Sequence, residues 1–155
     1  MSTVRWQRDV PESLRALDTL ERPDYVDLVT GMVSEAVVMT PEQWIRATLN
    51  GLPRSLLLLV PFIQRTILGL RLQLRPSPDH VLGWKIAERG GNWIRIEAAS
   101  WFLTGHVIMR IADGQMSFAT FVRYERFPAA LVWPPISLIH RRVALELVRS
   151  ATRAG

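Results

Sequence analysis

From Val81 to Arg126 the sequence alternates apolar and polar residues and is cut at intervals by turn-forming pairs. The stretches read "VLGWKIAER", "GGN", "WIRIEAAS", "WFLTGHVIMRIA", "DGQ" and "MSFATFVRYER". A period of two sends successive side chains to opposite faces of a pleated strand. Gly90-Gly91 and Asp113-Gly114 supply the positive φ angles that tight hairpins require. The segment therefore predicts four strands in an antiparallel meander. One face carries Leu82, Trp84 and Ile86, then Ile94 and Ile96, then Leu103, Val107 and Met109. On the last strand Met116, Phe118, Thr120, Val122 and Tyr124 point the same way. A face this apolar must be covered by another layer.

The chain ends on a candidate cover. "FPAALVWPPISLIHRRVALELVRSATR" predicts a long helix, kinked or begun anew at Pro134-Pro135, with Ile136, Ile139, Val143 and Leu147 on one side. Upstream, "PESLRALDTL" predicts a short helix and "DYVDLVTGMV" a strand, which "SEAVVM" extends or follows with another. In "TPEQWIRATL", Thr40 is placed as N-cap, Pro41 as first helical residue and Gln43 as the reciprocal capping partner. Asn50-Gly51 closes that helix and Pro53 opens the next. The order is strand, two helices, antiparallel meander, long final helix, an α+β layout. At 155 residues the chain fits one domain, with 1–23 an N-terminal extension and 24–155 the core.

The second helix, "RSLLLLVPFIQRTILGLRL", is the most apolar run. Only ten residues separate Arg54 from Arg65, whereas a transmembrane helix needs roughly 20. On a helical wheel Leu56, Leu59, Val60, Ile63, Ile67 and Leu70 form one stripe, with Arg54 and Arg65 opposite. Leu57, Leu58 and Leu68 fall outside that stripe. The helix over 53–72 therefore predicts a second burial surface: first a neighbouring element of the core, otherwise a ligand cavity, a homodimer partner or a bilayer interface.

Composition excludes several chemistries. There is no cysteine, hence no disulfide, thiolate nucleophile or cysteine-bound zinc. The N-terminus lacks the apolar region of a secretory signal, so a cytoplasmic location is expected. The net charge is +5, carried by eighteen arginines and the single Lys85, without a basic run or an RNA-binding signature. That pattern argues against nucleic acid. His80, His106 and His140 are too far apart to predict a metal site, and no cofactor motif is present. Ser100, His106 and Asp113 are triad residue types without a nucleophile elbow.

The stretches "PEQWIRATLNGLPRSLLLL", "ILGLRL", "SPDHVLGWKI", "FATFVRYERF" and "WPPISLIHRRVALELVRSA" resemble an uncharacterised bacterial branch of the START and polyketide-cyclase-like helix-grip superfamily (SRPBCC). The resemblance implies a sheet wrapped around the C-terminal helix, two short helices after the first strand, and an apolar cavity between sheet and helix. Members bind lipids, polyketides or other hydrophobic molecules there, and a minority are cyclases or dehydratases.

Within that frame the expected ligand wall is Trp84, Met109, Phe118, Thr120, Tyr124, Trp133, His140, Leu59 and Ile63. Thr120 and Tyr124 would orient a ligand by hydrogen bonds. His140 faces the sheet from the final helix, and either it or Tyr124 would be the acid or base of a cofactor-free enzyme. His106 is expected on the outer face of its strand. The leading expectation is binding of a small hydrophobic molecule, the alternatives being a dimerisation module built on 53–72 and an enzyme in the same cavity. Peripheral membrane contact is a further option.

Overall fold

The computed structural model describes residues 3–153. Seven strands form one antiparallel sheet: β1 (Arg5–Gln7), β2 (Tyr25–Met32), β3 (His80–Val81), β4 (Trp84–Arg89), β5 (Trp93–Ala99), β6 (Leu103–Ala112) and β7 (Gln115–Tyr124). Their spatial order is β1-β2-β7-β6-β5-β4-β3, so β3 to β7 are a meander and β2 joins its far side. The helices are α1 (Glu12–Arg15), α2 (Pro41–Asn50), α3 (Arg54–Phe62) and α4 (Pro128–Arg153). This is the expected α+β, helix-grip arrangement, with α4 packed on the sheet. None of these helices is long and apolar enough to cross a membrane.

Turn chemistry sets the register. Asp113 and Gly114, with φ of 53° and 73°, join β6 to β7 as a two-residue turn. A second turn of this kind, at Leu82-Gly83, cuts the expected first meander strand into β3 and β4. Five strands therefore follow the helix pair instead of four. The reason it is hard to read is Leu82, which takes a φ of 50° where glycine or asparagine is usual. The expected helix pair follows the second strand, because Arg5–Gln7 already forms β1.

The Thr40 capping box forms as expected: the Thr40 hydroxyl accepts from the Gln43 amide, and the Gln43 side chain accepts from the Thr40 amide. The final helix runs through Pro134 and Pro135 as one helix, Pro128–Arg153, so it is not begun anew there. The apolar helix departs from expectation. After Phe62 it passes into a π-helical turn, Ile63–Ile67, and then leaves helical geometry altogether. A π turn advances each residue by a smaller angle than an α-helix, so the stripe drawn at a constant angle rotates out of register. Ile67, placed on the buried stripe, is 42 % exposed, whereas Leu68, placed outside it, is only 4 % exposed.

Two apolar layers sandwich the sheet. The inner face packs under α2 and α4 around Trp44, Ile94, Met109 and Phe118. A neighbouring inner cluster joins Tyr25, Ile63, Leu70, Phe102 and Trp133. The outer face is covered by the N-terminal residues, with Val10 and Leu14 on Leu28, Ile108 and Phe121. Residues 5–20 thus supply both an edge strand and the second cover of the sheet.

Candidate functional site

Alternation fixes what points inward. Thr120 on β7 lies opposite Val107 on β6, which lies opposite Ile96 on β5, and that in turn opposite Ile86 on β4. Above this row of inner-face residues, α4 and the α3 region leave an apolar cavity of about 120 Å³. Its walls include Ile63, Leu68, Trp84, Phe118, Trp133 and Ile139. The volume suits one small ring or a short chain and lies below the roughly 300 Å³ at which common ligand pockets begin. Gly105 makes room for Trp84, since a Cβ there would sit 3.1 Å from the indole.

One side of this apolar wall is polar. His140 on α4 meets Thr120 on β7, Nε2 to Oγ1 at 3.0 Å, and both residues line the cavity. Directly behind them lies Asp27 on β2, paired in register with Thr120 and fully buried at 0 % exposure. Its Oδ2 accepts from the Tyr25 hydroxyl at 2.5 Å and from the Trp6 indole at 3.2 Å. His140 Nε2 stands 3.5 Å from the same oxygen. Trp133 stacks at a tilt on His140 and edge-on against Tyr25. Trp6, Tyr25, Thr120 and His140, from β1, β2, β7 and α4, thereby form one polar network around the buried Asp27, with Trp133 packed on it.

A buried carboxylate needs such partners, because desolvation disfavours its charge. For Asp27, burial is the largest single influence and pushes its carboxyl up. The hydrogen bonds and charge supplied by His140, Tyr25 and Trp6 together outweigh it and hold the group below the usual carboxylate range. Tyr25 is displaced the other way: burial, then the neighbouring Asp27 charge and hydrogen bond, drive its phenol far above the ordinary value. Burial, then Asp24, also raises Tyr124. These are the chain's only two tyrosines. An alkaline titration followed by tyrosinate absorbance should therefore show Tyr25 silent around pH 10, the value of a free phenol, and Tyr124 ionising later than a free phenol. The Tyr25 tyrosinate should form only at much higher pH or as the protein unfolds, and two groups titrating together as free phenols would contradict the arrangement.

Two further polar atoms sit in the cavity wall without partners among the described residues. They are Trp133 Nε1 and Gln64 Oε1, a donor and an acceptor, both buried. Orphaned buried polar groups are rare in native structures and ask for an explanation.

Of the expected wall, Trp84, Phe118, Thr120, Trp133, His140 and Ile63 all border the cavity. Three do not. Met109 faces inward but lies in the solid core between Ile94 and Phe118 on its neighbouring strands, away from the void. Tyr124, at the end of β7, is half-buried beside the Trp133 cluster and outside the cavity. Leu59, on regular α3 ahead of the π turn, is 40 % exposed and lies outside the cavity. Alternation assigns a face of a strand, but which stretch of that face lies under a void is decided by the covering helices. Asp27 was missed, although its alternation with Tyr25 and Val29 already marks a charged residue on an apolar face.

His106 does face outward, yet it is buried rather than solvated. Asp18 from the N-terminal segment meets its Nδ1 at 2.6 Å, and Arg95 bonds Glu97, Glu88 and the Leu17 carbonyl nearby. This outer cluster ties residues 17 and 18 onto β5 and β6. Among the described residues no three His, Asp or Glu side chains are grouped to hold a metal. No family model matches the chain, and no curated protein matches it either.

Proposed function

We propose that this protein binds a small hydrophobic molecule in the cavity between sheet and α4, with His140 and Thr120 orienting a polar group of the ligand. The observation that carries this reading is an apolar void bordered on one side by a fixed hydrogen-bonding pair. Such a combination of greasy wall and few convergent polar atoms is what small-molecule sites have in common. The resemblance to the uncharacterised bacterial branch of the START-like superfamily points the same way, and a cytoplasmic location is part of the proposal. The unpaired Trp133 and Gln64 atoms offer further hydrogen bonds to a guest.

Titration with short aliphatic and single-ring compounds, followed by tryptophan emission and melting temperature, tests the proposal. Trp84 and Trp133 stand in the wall and report directly. A true ligand at a hundredfold excess over its dissociation constant should add about 2.7 kcal/mol of stability. Replacing Ile139 by Trp to fill the void should abolish that gain while the free protein stays folded. If no compound of either class moves emission or melting temperature, the reading fails.

A second reading rests on α3. No residue of this helix is buried, and Leu58 and Phe62 are 70 % and 57 % exposed. That face suits a second copy of the chain, and sedimentation at micromolar concentration decides it: a strict monomer rules the dimer out.

A further inference from the structure

Beside the cavity runs an open groove of about 670 Å³, walled by the end of α3, by residues 72–78 and by the β3–β4 turn. Three arginines border it, Arg46, Arg65 and Arg75, and no acidic side chain does. Their roles differ. Arg46 is engaged: it pairs with Glu42 and donates to the His80 carbonyl, strapping the 78–80 loop to α2. Arg65 and Arg75 are exposed and make no ion pair or side-chain hydrogen bond among the described residues. His80, on the same wall, has a buried Nδ1 with no hydrogen-bond partner among the described residues. The sequence reinforces this imbalance, since residues 43 to 78 contain five arginines and not one Asp or Glu. Such a one-signed concave surface concentrates anions.

Groove and cavity share one residue. Leu82 borders both, so it is the partition between them. It is also a non-glycine residue at a φ of 50° and is 41 % exposed. That conformation is uncommon for a residue with a side chain and is imposed here by the two-residue β3–β4 turn, which fixes where Leu82 stands. The opposite end of the cavity is the His140–Thr120 pair. From β7 to β4 there are three strand spacings, or about 14 Å. The two polar ends are therefore separated by the width of the apolar floor.

From this juxtaposition we infer that the ligand is an anionic amphiphile, its apolar body in the cavity and its carboxylate or phosphate outside Leu82 on Arg65 and Arg75. The inference rests on the cavity reading above and adds the charge and polarity of the guest. Arginine is suited to the task because its planar fork meets carboxylate and phosphate oxygens bidentately. A small free anion could occupy the groove but could not also fill the apolar void. A neutral alcohol could fill the void but would leave both guanidinium groups unused.

The test compares octanoate with 1-octanol at pH 8, with acetate, inorganic phosphate and phosphatidylglycerol vesicles as further arms. Wild-type protein should bind octanoate at least tenfold more tightly than octanol. The double substitution Arg65→Gln, Arg75→Gln should abolish that preference and leave octanol affinity and melting temperature unchanged. Acetate and phosphate should not displace octanoate at millimolar concentration. Equal affinity for octanoate and octanol overturns the anion groove while sparing the cavity. Binding of neither overturns both. Phosphate binding as tightly as octanoate makes the groove a small-anion site and overturns the amphiphile. Arginine-dependent vesicle binding without any octanoate preference makes it a membrane-docking surface, with the same result.

Discussion

Asp27→Ala should cost about 3–5 kcal/mol, the range found when one partner of a buried charged pair is removed. The loss comes from what stays behind. Tyr25, Trp6 and His140 all direct polar atoms at Asp27 Oδ2, and alanine leaves them facing an unfilled space. Asp27→Asn should cost less, about 1–3 kcal/mol, because an amide oxygen still accepts from Tyr25 and Trp6. Urea denaturation of both variants measures the difference, and an alanine variant within 1 kcal/mol of wild type would show that the network contributes little. The pH dependence has a definite sign. The folded carboxyl is held below its unfolded value of about 3.9, so its contribution is fully present above that pH. It disappears as the pH falls through the lowered folded value, and wild type and variant should converge in acid. In a double-mutant cycle with His140→Ala the two losses should not add, since the residues share one network.

Trp133→Ala should be comparably severe, about 3–5 kcal/mol, as for other large aromatic truncations in a core. The indole is 4 % exposed, packs against Tyr25 and His140, and walls the cavity. Removing it would merge the void with the space the ring leaves. Trp133→Phe is the informative contrast. It keeps most of the packing and deletes only the indole N–H, which has no partner among the described residues. Its stability cost should stay under about 1.5 kcal/mol. Ligand affinity separates two roles for that N–H: a guest accepting its hydrogen bond should bind the phenylalanine variant several-fold more weakly. Unchanged affinity would confine Trp133 to packing. Both variants are read by chemical denaturation and by the fluorescence titration proposed for the cavity.

The architecture was legible wherever two local signals coincided. Alternation plus Asp113-Gly114 marks the β6–β7 hairpin, and Thr40, Pro41 and Gln43 mark the start of α2, each within a few residues. Legibility failed where tertiary packing overrides a local rule. Leu82 occupies a turn position that its side chain disfavours, so the short β3 was fused with β4. The π turn after Phe62 breaks the helical phase, and nothing in "FIQRTILG" announces it. The candidate site divides along the same line. Strand periodicity found Trp84, Phe118 and Thr120, and helix periodicity found His140. Neither could find the groove, because Arg46, Arg65 and Arg75 come from three separate segments that only the fold brings together.

The position of β2 has a consequence for the order in which the chain can be completed. It pairs with β7, so Asp27 waits through nearly a hundred residues of synthesis for its Thr120 neighbour and longer still for His140. On a ribosome, the β3–β7 meander can assemble from neighbouring segments as they emerge. Part of the inner sheet face stays uncovered until α4 follows, and Asp27, though Tyr25 and Trp6 precede the meander, lacks its His140 contact in the meantime. Contacts of such sequence separation slow folding, and an exposed apolar sheet is the state most prone to aggregation. Closing the Asp27–His140 contact is thus a late event in the life of each new molecule, and it marks the moment at which the interior is sealed.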